Sequence, residues 1–183
     1  MRVEELLARA RLGIGEDIGY VLGATPGLGA ALPQDENGNA DCSGFVAWCF
    51  GFKKFHPELA WLRRVNGGWL NTDGIFTDLG ESTGLFERCA PRPGAVVVYP
   101  ARWYAQRLDP QRGKLNPTVG HIGIVSHVGP TLDEGGEIPR EIRVVHCSAG
   151  NARRTGCSIG ETDDAVFRRA GVVDYGWHCS LED

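Results

Sequence analysis

Asp41-Cys42-Ser43-Gly44-Phe45-Val46-Ala47-Trp48-Cys49-Phe50-Gly51 is the stretch on which the fold turns. Asp41 stands where an N-cap belongs, because a short carboxylate accepts from the free amides of a first helical turn. The residues after it are apolar or small, and Gly51 marks a stop, so the spacing predicts a helix over 42–50. Phe45, Val46 and Trp48 anchor that helix in the core. A cysteine at such a helix start meets the positive end of the dipole and free N–H groups, which stabilise a thiolate. The same amides would hold a tetrahedral oxyanion. Cys42 is therefore the candidate nucleophile, against the plainer reading of a small buried hydrophobe. Ser43 and Gly44 are small enough for a substrate carbonyl to approach.

Upstream, Val3, Leu6, Leu7 and Ala10 recur at the spacing of an amphipathic helix over 3–12, with Gly13 as its stop. Residues 13–40 are rich in Gly, Pro and small polar residues and read as irregular structure leading to one buried point. Downstream, a short helix is expected over Pro57–Val65, and 66–94 reads as loop, with Ile75–Leu79 helical or extended. Ala95-Val96-Val97-Val98-Tyr99 is a buried strand by its β-branched content. Residues 100–118 read as an inserted loop. His121–Val128 is a second strand, Pro130–Pro139 the turn of a hairpin around Gly135-Gly136, and Glu141–Cys147 the returning strand. Thr162 is expected to cap a helix over 163–170, closed by Gly171, with a last strand over Val172–Tyr175. Helices before a run of strands argue for an α+β domain with an antiparallel sheet. A chain of 183 residues fits one domain, 1–183, with room for a real core, and no repeat or internal boundary divides it.

Two histidines accompany the cysteine. In Gly120-His121-Ile122-Gly123-Ile124-Val125, a His begins a strand and its next same-face neighbour is Gly, leaving room for a partner at the imidazole. A His so placed can take a thiol proton and return it to a leaving amine. A hairpin centred near 134–136 sets His146 beside 121–125, where it would fix the tautomer of the general base. His127 competes with His121 but lies six residues along the strand, about 20 Å away, so one thiol cannot meet both. His56, His127 and His178 read as structural.

The formal charge of −4 and the absence of any basic run exclude an electrostatic footprint for nucleic acid or anionic membrane. No apolar stretch approaches the roughly 20 residues of a membrane span. Two acids follow the first Met where a signal peptide would carry positive charge, so the expected location is cytoplasmic. Delivery to a cell wall by a non-classical, phage or secretion-system route is the alternative. Six cysteines (42, 49, 89, 147, 157 and 179) are then expected as thiols. On a helix Cys42 and Cys49 lie about 10 Å apart along the axis, too far for a bridge.

The chain here resembles the NlpC-type cell-wall peptidases, a branch of the papain-like cysteine peptidases, from about Tyr20 to Cys147. Asp41-Cys42-Ser43-Gly44-Phe45-Val46 and Gly120-His121-Ile122-Gly123-Ile124-Val125 match the family's motifs in order, and Val144-Val145-His146 matches the strand of its third, orienting residue. Tyr20-Val21-Leu22-Gly23-Ala24 is similar to its Tyr-x-Trp-Gly-Gly segment with Leu and Ala substituted. Pro93-Gly94-Ala95 resembles its Pro-Gly-Asp turn, with Ala95 for Asp.

The resemblance implies a papain-like fold, with the nucleophile helix packed on the antiparallel sheet. It also implies a Cys42–His121–His146 triad without cofactor or metal, cleaving the γ-D-glutamyl–diamino-acid bond of peptidoglycan-derived peptides. It gives Tyr20, Asp41 and Ser43 substrate contacts, so Asp41 has two readings: helix cap, and ligand for a substrate's free amine. Against the family pattern, 100–118 is an insert and 148–183 a C-terminal extension.

Three alternatives accompany this reading. One is an amidase or acyltransferase on the same scaffold, acting on another amide or thioester. Another is a catalytically inactive binding domain. The third is a metal site from His146-Cys147, Cys157 and His178-Cys179, whose spacing lacks the paired pattern of structural zinc.

Overall fold

Val96-Val97-Val98-Tyr99 is buried along its whole length, which a strand tolerates only in a sheet covered on both faces. The computed structural model describes residues 1–56, 60–81, 84–113, 117–130 and 141–182. Its elements run α1 (Val3–Arg11), β1 (Gly19–Tyr20), β2 (Asn39–Ala40), α2 (Cys42–Phe50), α3 (Ala60–Asn66), α4 (Thr72–Glu81), β3 (Phe86–Arg88) and β4 (Val96–Tyr99). They continue with α5 (Arg102–Leu108), α6 (Pro110–Gly113), β5 (His121–Val128), β6 (Ile142–Cys147), α7 (Ala149–Thr155), β7 (Ile159–Asp163), α8 (Ala165–Arg168) and β8 (Asp174–His178).

Six strands form one antiparallel sheet in the order β3-β8-β4-β5-β6-β7. The chain is thus α+β, as expected. Strand side chains alternate between faces. Val96, Val98, Ile122, Ile124 and Val145 bury one face with Leu6 of α1, Phe45, Val46 and Cys49 of α2 and Leu79 of α4. Val97, Tyr99, Val125 and Val144 bury the other with Phe167 of α8 and Ala170.

Ile75–Leu79 takes the helical one of its two expected readings, inside α4. Other stretches depart from what the sequence suggests. Residues 102–113 form α5 and α6 where an inserted loop was expected; buried Ala105 docks α5 while Trp103 stays half-exposed, so one small anchor hid the helix. Thr162 lies in β7 and does not cap a helix; the helix beyond it is the short α8. Among the described residues Ile159–Asp163 pairs with β6 at the sheet edge, where half-buried Glu161 and Thr162 and exposed Asp163 are tolerated, which masks it from an apolar pattern. Finally, the last strand is an interior one, between β3 and β4. Gly176 makes that insertion fit, since a Cβ there would come within 2.6 Å of Leu79 Cδ2 and 3.2 Å of Val96 Cγ2. The expected hairpin tip over 130–139 and the start of the helix at Pro57 fall largely outside the described residues.

Candidate active site

The cap of α2 is denser than a helix start requires. Asp41 Oδ1 accepts from the Gly44 amide at 2.6 Å and from Ser43 Oγ at 3.2 Å. Its Oδ2 accepts from the Gly23 amide at 2.8 Å and from Lys54 Nζ at 2.6 Å. Lys54 is buried, and its ammonium also donates to the Ala24 carbonyl at 3.3 Å. The helix-cap reading of Asp41 therefore holds. Gly44 is small for a different reason than substrate access: a Cβ there would meet Ala24 O at 2.6 Å and Pro26 Cδ at 2.8 Å.

Cys42 is the first helical residue, and all nine residues of α2 are buried. The Ile122 and Ser43 amides turn toward its sulfur. The parallel pairing of Tyr20 with Ala40 brings the Tyr20 hydroxyl to the same sulfur, and burial, with Cys42 and Asp41 nearby, holds that phenol above its usual range. Tyr20 is thus a donor throughout the neutral range. Burial pushes the Cys42 thiol up to about 12, with Asp41 adding to the effect and the Ile122 amide and Lys54 opposing it. At this helix start desolvation outweighs the dipole, so the resting group is a thiol. All six cysteines are free, and Cys42 and Cys49 are not bridged.

The histidines meet as the strand pattern foresaw. Ile124 pairs with Val145, which sets Gly123 across from His146 and His121 on the diagonal. A Cβ on Gly123 would lie 2.9 Å from His146 Cβ, so only Gly admits this approach. His121 Nε2 and His146 Nδ1 are 2.8 Å apart, and His146 Nε2 lies 3.0 Å from Thr162 Oγ1.

The protons in this row can be assigned. Thr162 has one hydroxyl proton and gives it to the Asp163 carbonyl at 2.7 Å, so its oxygen accepts from His146 Nε2–H. His146 Nδ1 then accepts from His121 Nε2–H, and His121 keeps its lone pair on Nδ1. Burial lowers the His121 pKa to about 3, helped by His146, and that of His146 to about 4, helped by Arg154, so both rings are neutral near pH 7. Phe167 stacks on His121 at 5.1 Å and fixes its plane. Among the described residues no hydrogen bond joins Cys42 to His121; the two halves meet at the start of β5, where the sulfur faces the amide next to His121.

His127 is exposed beyond a register shift in β5, away from this row. His178 packs among Phe50, Phe52 and Phe86, and His56 lies near Phe52. Among the described residues no group of His, Cys, Asp or Glu side chains is arranged to hold a metal, and none of the helices is long and apolar enough to cross a membrane.

A cleft of about 470 Å³ opens on Cys42, Ser43 and Gly120. Asp41 and Lys54 line it, and so do Asp73, Trp69 and Trp103 from α4, α5 and the approach to α4. Asp73 is buried, accepts from the Ala101 amide at 2.8 Å, and is held above the usual carboxylate range by desolvation, against which the Ala101 amide works. Lys54 and Asp73 carry no site role in the sequence, and Thr162 reads there as a helix cap and not as a partner of His146. Phe52-Lys53-Lys54-Phe55 looks like an ordinary surface turn, and neither a lone Asp nor a lone Thr carries a local signal. No known family model and no curated protein matches the chain.

Proposed function

We propose that this chain is a papain-like cysteine peptidase of the NlpC type, hydrolysing peptidoglycan-derived peptides at the γ-D-glutamyl–diamino-acid bond. The observation that carries the catalytic part is the hydrogen-bonded row His121–His146–Thr162, read with its protons running toward Thr162. It leaves an acceptor nitrogen on His121, whose neighbour Ile122 turns its amide toward Cys42. The substrate rests on the motif resemblance.

In this reading the Cys42 thiol gives its proton to His121 Nδ1 as sulfur attacks the carbonyl carbon. The pair is neutral at rest, so the proton moves during attack, and a loose contact tightens when substrate binds. The Cys42 and Ser43 amides at the start of α2, which lack intrahelical acceptors, and the Tyr20 hydroxyl receive the oxyanion. The His121 imidazolium is held by His146 Nδ1. It returns its proton to the leaving amine, and a thioester remains on Cys42. Water, deprotonated by His121, attacks that thioester; the carboxylic acid leaves and the thiol is restored.

One observation favours an amidase or acyltransferase on the same scaffold. Lys54 occupies Asp41, so the free-amine contact implied by the resemblance is already taken within the protein.

Mass spectrometry of intact muropeptides incubated with the protein tests the assignment. Fragments cut at the γ-D-glutamyl bond are expected with the wild type and Cys49→Ala, and none with Cys42→Ala. Thr162→Val should lower kcat about 10-fold, a small part of what proton transfer contributes, with KM little changed. Absence of γ-glutamyl cleavage sinks the substrate assignment, and an active Cys42→Ala protein sinks the nucleophile.

A further inference from the structure

Two aspartates line the Cys42 cleft, and they differ in what they have left to offer. A carboxylate has about four acceptor positions. Those of Asp41 face Gly44 N, Ser43 Oγ, Gly23 N and Lys54 Nζ, and the residue is 3% exposed. A ligand amine could enter there only by displacing Lys54, whose ammonium would then be left buried beside the Ala24 carbonyl. An uncompensated buried charge is strongly unfavourable.

Asp73 is the reverse. It is also 3% exposed, but its carboxylate receives one hydrogen bond among the described residues, from the Ala101 amide to Oδ1. No cation pairs with it among those residues. A buried carboxylate in that state, on the wall of an open cleft, is poised for a positive charge brought by a ligand. Its surroundings fit a particular kind of cation. Trp69, four residues before it, and Trp103, two residues beyond Ala101, line the same cleft at 46% and 49% exposure. Aromatic faces attract alkylammonium groups, and their rings cover the attached methylenes.

We infer that Asp73 binds an alkylammonium group of the ligand, flanked by Trp69 and Trp103, and that Lys54 has closed Asp41 to this role. Asp73 is here a specificity residue on the wall of the cleft that holds Cys42. This rests on the proposed function only for the identity of the ligand: there the cation is the side-chain amine of the diamino acid, while the peptide's N-terminal amine goes unread.

The test uses the full chain carrying Cys42→Ala, so that nothing is consumed, with tryptophan fluorescence or calorimetry as the readout. The probes are n-pentylammonium, its neutral counterpart 1-pentanol, and the tripeptide L-Ala-γ-D-Glu-L-Lys with its Nα-acetyl and Nε-acetyl forms. Pentylammonium should bind saturably, and at least 10-fold more weakly after Asp73→Asn, whereas pentanol should not distinguish the two proteins. Trp103→Ala, a half-exposed position where folding is safe, should weaken pentylammonium several-fold. Nε-acetylation of the tripeptide should weaken binding at least 10-fold, and Nα-acetylation less than 2-fold.

Pentylammonium binding that ignores both Asp73→Asn and Trp103→Ala overturns the inference. So does a tripeptide whose Nα-acetylation is the damaging change. If no tripeptide binds while pentylammonium still depends on Asp73, the cation site stands and the peptide substrate falls.

Discussion

Two buried polar networks flank Cys42, and they solve the problem of burial in opposite ways. The row His121–His146–Thr162 contains no formal charge, runs in one direction, and ends on a backbone carbonyl. The cluster around Asp41 is built on a full ion pair with Lys54, and every acceptor position of the carboxylate is filled. A buried charge must be paired, so Asp41 has nothing left for chemistry and serves to hold the start of α2. A neutral network can leave one nitrogen open at little penalty, and that open nitrogen is where a proton can go. Completeness marks the structural side of the site and incompleteness the reactive side, and Asp73 shares the incompleteness.

The comparison breaks most easily at Lys54. Lys54→Met strands the Asp41 carboxylate and should lower stability by about 3–5 kcal/mol, with Asp41→Asn/Lys54→Met recovering much of it. Urea denaturation measures both, and a loss below about 1 kcal/mol would put the charged cluster on a par with an ordinary hydrogen bond. Gly123→Ala strikes the neutral side. Its Cβ would meet Val144 Cγ1 at 2.6 Å and His146 Cβ at 2.9 Å, and overpacking of this kind costs about 1–3 kcal/mol. Because it pushes His146 from His121, kcat on the cleaved muropeptide should fall more than KM rises; an unchanged kcat would show the relay tolerates the shift.

Acid gives the most graded effect. Unfolded imidazoles titrate near 6.5, whereas His121 and His146 are held down to about 3 and about 4 by burial. Between those limits the unfolded chain binds more protons, so the stability tied to neutral rings is whole above about pH 6.5 and drains away as pH falls. Each ring contributes a slope of up to about 1.4 kcal/mol per pH unit. Urea midpoints from pH 7 to pH 5 should show it, and His146→Gln should flatten the fall. A slope that His146→Gln leaves intact would assign the acid sensitivity elsewhere, His178 being the other buried histidine with a depressed pKa.

Much of the reactive side was legible in the chain. Asp41 as cap and Gly51 as stop bracket α2 as observed, and the His121–Val128 strand has the expected bounds. His146 was placed beside 121–125 from the hairpin alone, because antiparallel register follows from where the turn lies. The saturated side was not legible. Lys54 lies 13 residues from Asp41 in a segment without periodicity, and burying a lysine runs against composition. The region after Cys147 was misread for a related reason. Glu161, Thr162 and Asp163 look like the start of a helix, yet backbone pairing with β6 holds them extended. Tertiary hydrogen bonding overrode a local preference worth less than one such bond.

A local period or a cap suffices to encode α2 with Cys42 at its start, the two strands bearing His121 and His146, and the glycine between them. Long-range packing is needed to bring Thr162 to the end of the His121–His146 row, to insert β8 into the middle of the sheet, and to set Lys54 on Asp41 while Asp73 stays open. Each of these depends on which distant segments share a surface. That is settled by the joint burial of both faces of the sheet, a constraint that no single stretch of the chain carries.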